Sequence, residues 1–283
     1  SVALGCIDEA NVHPCYHVVA DQNYNNGKGA VYVYQFWSSY VTIEPDSSES
    51  LVNFGCALAV QHLSSTTVEL FIGSHSSVVY RYLRTGDTPM WERQSTLTPV
   101  DSGSGGSLFG TSLALYNNRL VIGAPGGAGS SGYAYYYSRE GQEDAFSFQV
   151  RLAPPSHEQQ VGLRFGSSVD LSGEDDGRLI VGVCRSTGSS DGQAYIFYEG
   201  TFYTLTGQLS LEGKLVPPSA TVDTDERHNF GCSVGMSKAS GSRVVAIGAP
   251  SNVASSIGGR SGSVYTFSLP IEVFGWGMRQ RLA

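Results

Sequence analysis

The residues that could do chemistry are few and scattered. The six histidines, His13, His17, His62, His75, His157 and His228, form no His-Glu-x-x-His motif, so a zinc hydrolase site has no support. A Gly-x-Ser-x-Gly nucleophile elbow between strand and helix is absent. Gly103-Ser104-Gly105-Gly106 reads as a linker and not a phosphate cradle, because no helix follows it. Cys56 and Cys232 both stand directly after a Phe-Gly pair, and this equivalence points to packing rather than to nucleophilic catalysis. Cys6 and Cys15 flank a turn-like stretch and make a disulfide candidate. With five cysteines the count is odd, and the states of Cys56, Cys184 and Cys232 stay open. Tyr133, Tyr135, Tyr136 and Tyr137 are the densest aromatic cluster. In a strand Tyr135 and Tyr137 share one face, which leaves Tyr136, with Tyr133, as the candidate platform for a sugar or a protein. The acidic run Asp223-Thr224-Asp225-Glu226 reads as a solvated loop, and Asp223 and Asp225 join the candidate binding surface.

The elements that position these residues come from a repeat. Phe-Gly recurs at Phe54-Gly55, Phe109-Gly110, Phe165-Gly166 and Phe230-Gly231, at intervals of roughly 55 to 65 residues. Each pair opens the same series: an alternating strand, a short turn, a dense apolar run, a Gly/Ser loop and two further strands. The apolar runs are Leu120-Val121-Ile122-Gly123-Ala124-Pro125, Leu179 to Cys184, Val245-Ala246-Ile247-Gly248-Ala249-Pro250 and a worn copy at Leu70 to His75. Consecutive apolar positions mean strands buried on both faces. The third strand, Gly132 to Tyr137 in the best copy, recurs from Tyr32, Tyr80, Tyr195 and Tyr265, and the fourth includes Trp91 to Leu97, Phe146 to Leu152 and Trp276 to Leu282. Phe274-Gly275 is a false match inside a fourth strand. The repeats run approximately over residues 1–48, 49–100, 101–155, 156–218 and 219–283, within a single domain or segment.

Four short strands per unit are the content of a propeller blade. Phe-Gly, then Gly-Ala-Pro, then Gly-x-x-Tyr-x-Phe resembles the FG-GAP repeat of integrin α-subunit-like β-propellers, mostly in its metal-free form. The resemblance covers nearly the whole chain. It implies an all-β propeller of four-stranded blades, either five-bladed or part of a larger, for example seven-bladed, ring. The missing Phe-Gly before Ser1 favours the larger ring. In integrin-like repeats some blades carry a calcium loop between the first two strands, with oxygen ligands at alternate positions. The one acidic turn here places Asp170, Glu174, Asp175 and Asp176 before Gly177. Its spacing departs from the calcium loop, so calcium is a minor candidate and an Asp-Gly hairpin turn the main reading.

Composition narrows the function. Net charge is −8, from 25 acids and 17 bases, which disfavours a nucleic-acid partner. No apolar run approaches the ~18 residues of a membrane-spanning helix. Only three bases are lysines (Lys28, Lys214 and Lys238), and no Asn-x-Ser/Thr sequon occurs. Low lysine with abundant Gly and Tyr leans towards an extracellular or surface protein. The resemblance implies adhesion or assembly. The expectation is a non-enzymatic, cofactor-free module whose face loops hold a protein partner or further copies of itself, including a building block of a filament or coat. A lectin with aromatic pockets between blades is the first alternative. The accessory propeller of a larger hydrolase is the second.

Overall fold

Apolar runs that must be covered on both sides dictate a stack of sheets, and that is what the chain forms. A computed structural model describes residues 1–5, 15–35, 39–49, 52–86, 88–100, 107–126, 131–172, 177–184, 192–199, 209–217, 229–239, 242–250, 253–254, 259–260, 262–270 and 277–282. The first sheet holds β1 (Val2–Gly5), β2 (Tyr16–Asp21), β3 (Ala30–Gln35) and β4 (Ser39–Ile43). The second holds β5 (Leu58–His62), β6 (Thr67–Ser74), β7 (Val78–Thr85) and β8 (Glu92–Leu97). The third holds β9 (Ser112–Tyr116), β10 (Arg119–Ala124), β11 (Tyr133–Ser138) and β12 (Ser147–Leu152). The fourth holds β13 (Phe165–Leu171), β14 (Arg178–Val183), β15 (Gln193–Glu199) and β16 (Leu209–Leu215). In the fifth, β17 (Ser233–Ala239) and β18 (Ser242–Ala249) are followed by a small pair, β19 (Val253–Ala254) and β20 (Gly259–Arg260), and then by β21 (Ser263–Pro270) and β22 (Gly277–Leu282). Each sheet is an antiparallel meander in chain order. The protein is an all-β propeller of such blades.

The pattern of burial follows position in the blade. All eight residues of β6 are buried, and β10 and β14 are buried after their first residue. The outer strand β8, Glu-Arg-Gln-Ser-Thr-Leu, is exposed along nearly its whole length. The first strands pack successively on one another, β1 on β5, β5 on β9, β9 on β13 and β13 on β17, which makes them the inner ring. In four blades the pairing of third and fourth strands slips at one equivalent place, at Arg81/Tyr82, Tyr136/Tyr137, Ile196/Phe197 and Thr266/Phe267. A bulge there twists the outer strand away from the inner three.

Four cores join the five blades. Val18, Val31 and Val33 meet Phe54, Leu70 and Ile72. Phe71 and Val79 meet Phe109, Leu120 and Tyr135. Val121 and Tyr136 meet Phe165, Val181 and Phe197. Ile180 and Ile196 meet Phe230, Val245 and Ile247. Each motif phenylalanine is fully buried, and burial of such a ring stabilises by about 2 to 3 kcal/mol. It packs on the third-strand tyrosine of its own blade at 5.2 to 5.6 Å between centroids, as Phe54 on Tyr80, Phe109 on Tyr135, Phe165 on Tyr195 and Phe230 on Tyr265.

The glycine after it does a different job. Gly166 takes φ +89°, and a Cβ there would lie 2.2 Å from the Tyr133 carbonyl oxygen of the preceding blade. A Cβ on Gly123 would in turn lie 2.1 Å from the Gly166 carbonyl oxygen. Two glycines face each other so that two backbones touch. A hydroxyl then latches the joint: Ser1 Oγ donates to the Gly55 carbonyl at 2.6 Å, Ser112 Oγ to that of Gly166 at 2.9 Å, and Ser168 Oγ to that of Gly231 at 2.9 Å. Ala57 leaves the second blade without that hydroxyl, and the neighbouring Cys56 Sγ donates to the Gly110 carbonyl at 3.3 Å instead.

Candidate binding face

In an antiparallel meander the strands alternate direction. The connections after second and fourth strands therefore all emerge on one face of the propeller. This face carries every inter-blade connection. It presents Val52, Val100, Val161 and Val216, which are 54, 57, 73 and 48% exposed, one in each of the four connections. Scattered apolar side chains need no explanation, but one per blade joint on a common face is a pattern.

Two of these connections are held rigid by the same constellation. In the second blade Tyr80 donates its hydroxyl to Glu49 Oε2 at 3.3 Å, and Arg93 Nη1 donates to Glu49 Oε1 at 2.9 Å. The Arg93 guanidinium lies over the Tyr80 ring at 5.6 Å. In the fourth blade Tyr195 donates to Glu158, Lys214 Nζ donates to Glu158 Oε2 at 2.7 Å, and the ammonium lies 5.9 Å from the Tyr195 ring centroid. Both acids come from the inter-blade connection, three residues before the exposed Val52 or Val161. Burial pushes the Tyr80 hydroxyl up to about 12, with Glu49 adding to the shift, so it remains a donor. Burial raises the Glu158 carboxyl, but hydrogen bonds from Lys214 and Tyr195 outweigh it and leave the group below its ordinary value. Ion pairs of this partly exposed kind add little stability, and their effect is to fix the loop.

Tyr136 is 2% exposed, and its hydroxyl donates to Glu199 Oε2 at 2.9 Å. It is therefore part of the joint between the third and fourth blades, and no surface platform forms there. The reason is that each blade's second face is covered by the next blade. Tyr133 is half-buried, with Arg151 stacked over its ring at 4.3 Å. Asp223 and Asp225 lie outside the described residues. The exposed aromatics are elsewhere: Tyr40 packs on Tyr32 at 5.6 Å and on Tyr34 at 5.3 Å, on the outer face of the first blade. Alternation in β3 was the visible signal, since Tyr32 and Tyr34 share a face.

Asp170 does not fit the role of a calcium ligand. Its Oδ2 accepts the Met236 backbone N–H at 2.6 Å, across the joint to the fifth blade, and Oδ1 accepts the Leu171 N–H at 2.9 Å. Burial raises its carboxyl above the usual range. Glu174, Asp175 and Asp176 lie outside the described residues. Among the described residues, no three His, Cys, Asp or Glu side chains group as a metal site. Cys15 is in a disulfide, and its expected partner Cys6 lies outside the described residues. Cys184 and Cys232 form a disulfide that ties the fourth blade to the fifth. Disulfides are compatible with an oxidising, extracellular setting. Cys56 is a free thiol, and burial pushes it up to about 12, far from thiolate chemistry.

Sequence reasoning missed one charged cluster. Glu69, fully buried in β6, accepts from Arg139 Nη1 at 2.8 Å, Arg139 Nη2 at 2.9 Å, Arg81 Nε at 2.6 Å and Gln61 Nε2 at 2.9 Å. Arg139 belongs to the third blade and stacks on Phe146 at 4.3 Å. A glutamate inside the run Val68-Glu69-Leu70 was the only signal. Its saturated oxygens make it a pin between blades.

The FG-GAP repeat family matches residues 91–137, which span the second-to-third joint around Phe109-Gly110. A search of curated protein sequences finds no match. Among solved structures, the BP39L lectin of Burkholderia pseudomallei is similar over 98% of this chain and 69% of its own, with TM-score 0.57 and 10% identity. The Aleuria aurantia lectin, a fungal six-bladed β-propeller with a novel fucose recognition mode, is similar over 99% of this chain and 78% of its own, with TM-score 0.50 and 13% identity. At such identities the likeness concerns the fold. Among the described residues, no helix is long and apolar enough to cross a membrane.

Proposed function

We propose that this FG-GAP-repeat β-propeller is a non-enzymatic extracellular module that holds a protein partner on the face of its inter-blade connections. The observation that carries the reading is the exposed valine in each of four connections, two of them braced by the Tyr-Glu-cation constellation. Protein interfaces set apolar contacts inside a polar rim. The reading implies adhesion or assembly by a chain of net charge −8 and needs no cofactor. The thiol and the carboxylate best placed for catalysis, Cys56 and Asp170, are both engaged in joints between blades.

A photo-reactive phenylalanine placed at Val100 or Val161 tests this in native source material. The expected result is protein adducts from both positions and none from Met90, which is exposed on the opposite face. Equal labelling from Met90, or none from the valines, overturns the reading. A carbohydrate reading is favoured by one observation, the exposed Tyr40 ring packed on the half-buried Tyr32 and Tyr34, and by the lectin neighbours. Among the described residues that group does not recur: Tyr80, Tyr135, Tyr195 and Tyr265, the equivalents of Tyr32, are all buried. Glycan-array binding that is lost in Tyr40→Ala would establish it in place of the protein partner.

A further inference from the structure

We infer that the joint between the second and third blades binds a small monovalent anion, chloride in an extracellular medium, at the guanidinium of Arg81. The inference goes beyond the docking face proposed above and stands whether or not that reading holds. It starts from the charges in the joint. The side chains of Glu69 and Arg139 are 0% exposed and that of Arg81 is 7% exposed. One acid and two bases leave one net positive charge in the interior. The surroundings are apolar: Phe71, which pairs with Arg81 in the strand register, is fully buried, and a buried Phe146 lies under the Arg139 guanidinium. An uncompensated charge in such a place is costly.

Glu69 cannot take up the excess. Its Oε1 accepts from Arg139 Nη1 and Arg81 Nε, and its Oε2 from Arg139 Nη2 and Gln61 Nε2, so both oxygens are saturated. Arg139 is also satisfied, since Nη2 donates to the Asn117 carbonyl at 3.2 Å and Nε to Asn118 Oδ1 at 3.4 Å. Arg81 is not: its Nη2 is buried and has no hydrogen-bond partner among the described residues. A guanidinium does not shed its proton to escape burial, as a lysine does. The surplus charge and the unused donor therefore fall on one side chain.

The next joint shows the balanced version. By strand register, Glu69, Arg81 and Arg139 correspond to Arg119, Tyr136 and Glu199 between the third and fourth blades. There one acid meets one base, and the third member is a neutral phenol whose hydroxyl donates to Glu199 Oε2 at 2.9 Å. Burial and Glu199 raise the pKa of that hydroxyl and Arg119 lowers it, which places both charges beside it. Arg81 puts a cation where Tyr136 stands. The balancing charge is then a solute anion. One surplus positive charge calls for a monoanion, because a dianion would reverse the imbalance. The enclosed position between two blades selects a small ion over an organic acid.

The test is urea unfolding of the whole chain at constant sodium, with chloride replacing gluconate. Wild type gains stability with chloride, and above the dissociation constant each tenfold rise in chloride lowers the unfolding equilibrium constant about tenfold. Arg81→Met leaves Glu69 and Arg139 as a neutral pair, so it stays folded by circular dichroism and loses the chloride response. Arg93→Leu, which removes a partly exposed pair, keeps the response. A wild type indifferent to chloride overturns the inference, because water then satisfies Nη2. An unchanged response in Arg81→Met overturns it as well, since chloride then acts elsewhere. A bromide-soaked crystal of the wild type reads the site without any variant. An anomalous peak within hydrogen-bond distance of Arg81 Nη2 is expected, and water alone at that place overturns the inference.

Discussion

Gly123→Ala is the sharpest probe of the joint, because Gly248 offers a matched control in the same molecule. At Gly123 the new Cβ would lie 2.1 Å from the Gly166 carbonyl oxygen and 3.1 Å from its carbon. The oxygen belongs to the backbone and cannot rotate away, so the third and fourth blades must separate by roughly 1 Å to regain ordinary contact. Overpacking of this kind costs about 1 to 3 kcal/mol, and losing the Ser112 hydrogen bond to Gly166 adds about 1 kcal/mol. The expected destabilisation is about 2 to 4 kcal/mol, or a fall in Tm of roughly 5 to 15 °C for a chain of this size. At Gly248 the only close atom among the described residues is Ser233 Oγ, at 2.2 Å, the end of a rotatable side chain. Gly248→Ala should therefore change stability by less than about 1 kcal/mol, with alanine in a strand favoured slightly over glycine. Thermal unfolding of both variants by circular dichroism decides the matter. Equal effects at the two positions, or a wild-type Tm for Gly123→Ala, would refute the description of the joints.

Three further outcomes are expected. Arg139→Leu leaves the buried Glu69 with half its ionic partners and should cost about 3 to 5 kcal/mol in urea unfolding, far more than the surface variant Arg93→Leu, which removes a partly exposed pair. Glu158 lies below its ordinary carboxylate value, so the stability it contributes is fully present above about pH 4.3 and is lost as the pH falls through its folded value. Urea midpoints of wild type and Lys214→Gln should therefore differ at pH 7 and converge near pH 3, and a difference independent of pH would contradict this. Cys56 should resist a disulfide-exchange reagent at pH 7.5 in the folded protein and react fully on denaturation, because burial pushes its thiol up to about 12. Rapid labelling of the folded protein would place that thiol at the surface.

Local signals were enough for the blades. A strand buried on both faces must read as a consecutive apolar run, and Leu120-Val121-Ile122 and Leu179-Ile180-Val181 do so, whereas in the fifth blade Val245 and Ile247 are buried and Ala246 between them is only half-buried. The turns between first and second strands stood out for the same reason, since Tyr116 and Arg119 bracket an Asn-Asn turn. Repetition then gave the propeller, because one sheet of this size cannot bury its own faces. Phe-Gly was legible as a motif, but its reason was not: the glycine is required by a carbonyl oxygen from the neighbouring blade. The calcium candidate at Asp170 arose because an acidic residue beside an Asp-Gly turn looks alike whether its oxygens face a cation or, as here, the Met236 N–H of the next blade.

What remained was decided by packing between blades, over separations that no window of sequence spans. Tyr136 looked like a surface ring because alternation assigns it to the opposite face from Tyr135, yet that face is the next joint. Cys184 and Cys232 stand 48 residues apart and meet only because consecutive blades stack. The Glu69 to Arg139 pair crosses 70 positions for the same reason. The ring of exposed valines is likewise invisible in a sequence read strand by strand. Val52, Val100, Val161 and Val216 occupy unequal places in their loops, and they share a face because the meander returns every inter-blade connection to the same side. Sequence thus determined the period and the strands, which depend on neighbours two residues away. Tertiary structure determined which side chains were left for a partner, which depends on what each neighbouring blade covers.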